Sequence, residues 1–237
     1  MRPLRRSGGV EEREHLFDDL RRHEASVHSQ CGEDGVLLRL FDRIGPTNRF
    51  FVEFGAKDGR HWSNTANLRL HHGWSGLLME GGERAVEPLV KREFVTAENV
   101  NALFEKYRVP ATFDLLSIDI DGNDYWIWQA IDRFVPRVVV IEYNIFFHPG
   151  ACLTIPYRAD FVWDEGTFHG ASLAALRKLG SEKGYALVYA DRWAPNAFFV
   201  QRQELPDDFE ELPVERVTPW DRFVRPPGFD ESAWLEV

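Results

Sequence analysis

One stretch constrains this chain more than any other: an apolar run that ends in an acid and breaks at two closely spaced glycines. It reads Phe50-Phe51-Val52-Glu53-Phe54-Gly55-Ala56-Lys57-Asp58-Gly59. Phe50 to Phe54 has the composition of a strand buried on both faces, as strands in parallel sheets are. Gly55 and Gly59 supply a tight turn in which the backbone tolerates positive φ and approaches a ligand closely. The stretch therefore predicts a parallel strand that feeds a ligand-facing turn.

The remaining chain supplies alternating partners for that strand. Val10 to Ala25 is charged, with Leu16, Phe17 and Leu20 on one face of a surface helix. Ser29-Gln30-Cys31-Gly32-Glu33-Asp34-Gly35 precedes a helix over Val36 to Ile44 that Gly45-Pro46 ends, and reads as its cap or as a polar flap over the later pocket. Residues 63–72 are helical, then Ser75 to Met79 is a strand, Arg84 to Lys91 is helical around Pro88, and Phe94 to Ala97 is a third strand. A helical turn over 101–107, a strand over Phe113 to Ile120 and an aromatic helix over Tyr125 to Phe134 follow. Arg137 to Ile141 is β-branched throughout its core and belongs at the centre of a sheet. Residues 145–168 form a long aromatic segment read as a packed lid. A helix from Gly170 to Leu179 and a hairpin of Gly184 to Ala190 with Ala197 to Gln201 complete the pattern. Alternation of this kind predicts an α/β fold with helices on both faces of a mostly parallel sheet. The expected organisation is a tail and surface helix over 1–26, a main domain over 27–203 and an acidic, aromatic extension over 204–237.

Composition narrows the partners. The 237 residues are 44% hydrophobic with eight tryptophans, which suits one folded α/β domain with additions. A net charge of -10 argues against a nucleic-acid backbone or an anionic membrane as the main partner. Cys31 and Cys152 form neither a zinc-site spacing nor a disulfide framework, and no apolar run is long enough to span a bilayer. A cytoplasmic protein is the expectation. The aromatic extension packs on its own domain or on a second subunit, which leaves a homodimer open.

The strand ends carry the chemistry, because ligands of such sheets bind outside the carboxyl ends of the strands. Those ends are acidic: Glu53 with Asp58, Glu80, Glu98-Asn99, Asp119 with Asp121, and Glu142 with Asn144. So many carboxylates on one sheet edge call for a cation or a hydroxyl-rich ligand among them. Glu80, at the next strand end after the glycine turn, is placed to take both hydroxyls of a ribose. The turn is acidic and has no phosphate cradle, so the expected ligand is a phosphate-free, positively charged nucleoside. S-adenosylmethionine has those properties.

At this point the chain resembles the FkbM-type class I methyltransferases. The resemblance runs over about residues 27–201. It rests on Ser29-Gln30 with Glu33-Asp34-Gly35, the Phe51 to Gly59 stretch, Ser63-Asn64-Thr65, Gly73-Trp74-Ser75-Gly76 with Glu80, Glu98-Asn99-Val100, and Asp119-x-Asp121-Gly122. It implies a Rossmann-like seven-stranded sheet with an antiparallel last strand, and methyl transfer to oxygen of a small molecule such as a sugar or secondary metabolite. It implies that Gln30, Glu53, Gly55, Asp58, Gly59, Asn64, Glu80, Glu98, Asn99 and Asp119 serve the donor site. The chain departs from the family pattern at Asp121 and Asn123.

That departure predicts chemistry opposite the donor. Asp119 and Asp121 are two apart and face one side, as do Glu142 and Asn144. Four oxygen-bearing side chains from two strand ends suit Mg²⁺ or another hard divalent cation. Asp121, Glu142 and His148 are the candidate catalytic groups, with His61 and His169 as further histidines near the pocket mouth. The alternative reading of Asp121 is a helix cap. Trp62, Phe146, Phe147, Tyr157 and Trp163 either wall an acceptor pocket or pack the lid. Two other functions fit the same residues: a Rossmann-like binding protein without turnover, and a metal-dependent hydrolase built on Asp119, Asp121 and Glu142.

Overall fold

A computed structural model describes residues 15–192, 196–218, 226 and 229–237. The first turn of the expected N-terminal helix, the link at 193–195, and Trp220 and Phe223 lie outside the described residues.

The strands are β1 (Phe50–Phe54), β2 (Ser75–Glu80), β3 (Val90–Arg92), β4 (Thr112–Ile118), β5 (Val135–Glu142), β6 (Leu153–Thr154), β7 (Tyr185–Ala190), β8 (Asn196–Gln201) and β9 (Leu235–Glu236). The helices are α1 (Leu16–Arg22), α2 (Glu33–Ile44), α3 (Ala66–His71), α4 (Val100–Lys106), α5 (Asp124–Ala130), α6 (Leu173–Glu182) and α7 (Val214–Val217). Seven strands form one sheet in the order β3-β2-β1-β4-β5-β8-β7. β1 to β5 run parallel, and β8 is antiparallel to both β5 and β7. That is the expected Rossmann-like seven-stranded sheet, antiparallel strand included. Strand order reverses between β1 and β4, so the switch-point crevice opens at their carboxyl ends.

The core follows from the sequence pattern. Phe51, Val52, Phe54, Leu115, Leu116, Ile118 and Val138 to Ile141 are all buried, as a sheet covered on both faces requires. Helices α1, α2 and α3 contact one another in one group and α4, α5 and α6 in another, and both groups reach β7.

Several expectations change. α1 is not a surface appendage: Leu20 and Phe17 are buried in the main core, Phe17 lies 5.3 Å from the Tyr189 ring, and Asp19 takes Arg39 and Arg43 of α2. Arg84 to Lys91 is not a helix. Pro88 cannot donate to a helical ladder and disfavours helical backbone before it, and the chain turns into β3 at Val90 instead. Phe94 to Ala97 is not a strand either, so Glu98 and Asn99 lie in the loop that enters α4 rather than at a strand end. α2 begins at Glu33 behind Gly32, with no side-chain cap. The Asp34 carboxylate instead gathers the N–H groups of Val27, His28 and Ser29.

A second anchor sits at the opposite end of the sheet. Asp114 on β4 is fully buried and accepts the N–H groups of Thr47, Asn48 and Arg49, the Thr47 hydroxyl and, at 2.8 Å, the Arg137 guanidinium. One carboxylate thus fixes how the chain enters β1.

Candidate active site at the switch point

β1 ends at Phe54, and the backbone turns at Gly55 with φ 68°. A Cβ on Gly55 would stand 1.6 Å from the Asp119 carbonyl oxygen, so the two strand ends touch only because the side chain is a hydrogen. The turn is then tied to β2. The Glu80 carboxylate accepts the N–H of Lys57 at 3.0 Å and of Gly82 at 2.8 Å. Asp58 closes the turn from within, accepting from Arg60, His61 and the His61 ring at 2.5 Å. Burial pushes the Asp58 carboxyl up, but His61 and the two N–H groups outweigh it and bring it down to about 2.

Glu53 does not line the pocket. It is buried and accepts from the Ser63 hydroxyl at 2.7 Å, the Asn64 N–H at 2.8 Å and the Thr65 hydroxyl at 2.5 Å. Asn64 in turn donates to the Ser117 hydroxyl at 3.1 Å. Together they hold the 55–65 loop from beneath. Burial raises the Glu53 carboxyl, against these three donors.

Beyond β4 and β5 the carboxylates meet. One oxygen from each of Asp119, Asp121 and Glu142 lies within 4.8 Å of the others. Glu142 is buried, and its Oε2 has no hydrogen-bond partner among the described residues. Burial and the charges of Asp121 and Asp124 push the Asp119 carboxyl up to about 8, against Lys57. Burial and Asp119 raise Glu142 well above the usual carboxylate range. A group this short of donors and this mutually repulsive fits a hard cation with oxygen ligands.

The N-cap of α5 is Asn123 and not Asp121, and Asp124 holds the loop before the helix. Asp124 is buried and takes the N–H groups of Ile120 at 3.0 Å and Gly122 at 2.8 Å. Asp121 stays with the other two carboxylates, in the left-handed region at φ 56°. Lys57 and Trp62 share that conformation, at φ 51° and 60°. Three non-glycine residues in strained backbone, all around one crevice, are the pattern of a functional site. The Lys57 ammonium lies 4.6 Å from the Trp62 ring centroid and lowers the carboxyls of Asp119, Asp121 and Glu142. It is the cation the sequence reading missed, although it stands inside the motif.

The other expected residues go elsewhere. Asn144 leaves the metal set: its amide donates to the carbonyls of Thr167 and His169, and its oxygen accepts the Phe146 N–H. His148 is exposed in a turn, with Nδ1 accepting the Gly150 N–H at 3.2 Å, outside the carboxylate group. Burial depresses His169 to about 4. Asn99 closes its own loop on Thr96 and Phe94. Glu98 is exposed and accepts the Tyr157 hydroxyl, which joins the expected adenine side to the 145–168 segment. Gln30 is exposed. Gly59 turns at φ 73° against Leu78 and Val90.

A separate concavity of about 520 Å³ lies along α6, between Arg177, Arg202 and Glu211. Both arginines are bonded to Glu211, so it offers no unpaired charge of theirs to a ligand.

No family model and no curated protein matches the chain. Eight solved chains are similar, among them the following three. TnmH shares 13% identity over 65% of this chain and 50% of its own, with a TM-score of 0.38. The CMeT domain of the citrinin polyketide synthase shares 10% over 70% and 50%, with a TM-score of 0.35. NcsB1, an O-methyltransferase from neocarzinostatin biosynthesis solved with S-adenosyl-L-homocysteine and 1,4-dihydroxy-2-naphthoic acid, shares 16% over 65% and 49%, with a TM-score of 0.33. The chain spans about half the length of each solved chain. The fold assignment rests on the sheet order itself. Among the described residues no helix is long and apolar enough to cross a membrane.

Proposed function

We propose that this chain is a methyltransferase that uses S-adenosylmethionine and acts on an oxygen of a small molecule, of the FkbM type. One observation carries the reading: at the switch point of a class I methyltransferase sheet, the Gly55 backbone lies bare against Asp119 while Glu80 anchors the turn beside it. A side chain at Gly55 would run into the Asp119 carbonyl and push apart the two strand ends that border the crevice. The site offers carboxylates and backbone but no phosphate cradle, which suits a cationic donor.

The roles follow from position. Glu80 takes the ribose hydroxyls with the lone pairs its two N–H contacts leave free. Asp119 faces the donor's ammonium group, and the loop at Glu98 borders the adenine. When bound, the donor supplies an electrophilic methyl carbon on a sulfonium, and its C–S bond breaks as the acceptor oxygen forms the new C–O bond. Asp121 and Glu142 lie next to that position. They hold the acceptor hydroxyl in line and take its proton, for which their raised affinity for protons suits them. His148 has no part in this arrangement.

We further propose that a divalent cation belongs to Asp119, Asp121 and Glu142. It would bind the acceptor oxygen and lower its pKa. The unpartnered Glu142 Oε2 supports this part of the reading.

Calorimetric titration with S-adenosylhomocysteine, with and without Mg²⁺, tests both parts. Micromolar binding is expected. Absence of heat at millimolar ligand would overturn the methyltransferase reading, whereas identical binding and turnover in chelator would remove only the metal.

A further inference from the structure

The 145–168 segment packs on the carboxylate side of the crevice. The Phe161 ring lies on Gly122, the residue after Asp121, where a Cβ would come within 2.5 Å of Cδ1. Asn123 donates to the Arg158 carbonyl and Trp126 Nε1 to the Ile155 carbonyl, each at 2.8 Å. These bonds reach the segment from the catalytic side.

A second set reaches it from behind. Strand β9 pairs with β6, Leu153 opposite Glu236 and Thr154 opposite Leu235. The Val237 N–H donates to the Cys152 carbonyl at 3.1 Å, and the Cys152 thiol donates to the Val237 carbonyl at 3.0 Å. Trp234 is buried at 8% exposure in a small cluster with Phe147 and Ile155, separate from the main core. Its ring lies 4.5 Å from Phe147 and 5.0 Å from Phe168. Ile155 is therefore gripped twice, through its carbonyl by Trp126 and through its side chain by the Trp234 cluster.

We infer that residues 229–237 are a strap that holds the 145–168 segment over the carboxylate cluster and so governs entry of the acceptor. Trp234 is its positioning residue. A two-stranded ribbon as short as β6–β9 is marginal by itself in water, so the burial of Trp234 carries most of the hold. The strap acts on the carboxylate cluster through Ile155 and Phe161, which pack with Trp234. Phe147, read as an acceptor wall or as lid packing, belongs to the strap's seat.

The closure is a property of the fold, and its meaning for an acceptor rests on the methyltransferase reading. Two variants of the full chain test it: Trp234→Ala, which empties the seat, and Val237→Pro, which removes the N–H given to Cys152. Hydrogen–deuterium exchange should quicken about tenfold or more in peptides covering 151–161, and stay unchanged in β1, β4 and β5. Carbodiimide coupling of glycine ethyl ester to Glu142, read by mass spectrometry, should quicken by a similar factor in both variants. S-adenosylhomocysteine affinity should stay within about twofold. Unchanged exchange at 151–161 in both variants, unchanged Glu142 labelling, or an equal rise across the whole sheet would overturn the strap. A chain that ignores S-adenosylhomocysteine would instead sink the proposed function and leave the exchange result to decide the strap.

Discussion

Gly55 and Asp119 meet backbone to backbone at the point where strand order reverses, and only a hydrogen fits between them. Gly55→Ala adds a left-handed Cβ, which costs about 1–2 kcal/mol by itself, and forces β1 and β4 apart at their carboxyl ends. The expected outcome is a lower melting temperature together with loss of S-adenosylhomocysteine binding. Thermal unfolding and calorimetry measure the two; a variant with native affinity would show that the donor does not sit on this contact.

Glu80 makes two charge-assisted contacts to turn N–H groups, and removing them should loosen the turn and the ribose seat together. Glu80→Ala is expected to weaken donor affinity by about 10–100-fold, from a loss of ~1.5–3 kcal/mol. Glu80→Gln keeps one acceptor oxygen and should fall between wild type and alanine. Equal affinity in all three proteins would detach the ribose from Glu80.

Asp121 lies in the carboxylate group but holds none of the loop N–H groups, which Asp124 takes. Asp121→Asn should therefore leave folding intact while lowering Mn²⁺ affinity, followed by paramagnetic resonance, and turnover. Asp124→Asn should do the reverse in part, with stability falling first. If the two variants behave alike, the division of labour drawn from the geometry is wrong.

Asp114 and Arg137 set an acid limit on stability. Burial raises the Asp114 carboxyl, but the Arg137 guanidinium and the Thr47 and Arg49 N–H groups outweigh it, so its folded pKa lies below the unfolded value. A depressed carboxylate contributes stability that is complete above the unfolded pKa and is lost as pH falls through the folded one. Chemical denaturation from pH 7 downward should show that loss only below the ordinary carboxylate range, and Asp114→Asn should flatten it. Asp114→Ala takes one of two carboxylates from the buried Arg137 guanidinium, leaving Glu204, and strands the N–H groups of Thr47, Asn48 and Arg49, so it should cost about 3–5 kcal/mol at neutral pH.

Burial depresses His169 to about 4, so the unfolded chain binds this proton between its ordinary value near 6.5 and that point. Folded stability should therefore decline as pH falls through that window, and His169→Gln should remove the slope. An unchanged slope between pH 6.5 and 4 would place the titration on other groups.

Much of the fold is legible in local pattern. Phe50 to Phe54 and Arg137 to Ile141 read as buried parallel strands and are β1 and β5, because a strand covered on both faces must be apolar along its whole length. The hairpin of β7 and β8 is equally readable. Where reading fails, long-range contact wins. Arg84 to Lys91 has helical composition, yet Pro88 and pairing with β2 at Val90 take it out of a helix. Leu16, Phe17 and Leu20 show an amphipathic face, but nothing local says that the face joins the main core beside Tyr189.

The candidate site divides the same way. Residue types and spacing along the chain determined the acidic ends of β1, β2, β4 and β5, the glycine turn and the pairing of Asp119 with Asp121, since those follow from periods of two and from side-chain chemistry. Only the tertiary structure decided which acids share a space and which serve as anchors. Glu53 went to Ser63, Asn64 and Thr65, Asn144 to the carbonyls of Thr167 and His169, and Asp124 to the loop before α5, the helix that Asp121 was read as capping. Lys57 joined the carboxylates from a different strand end. A buried carboxylate must find donors, and which donors reach it depends on chain segments dozens of residues away.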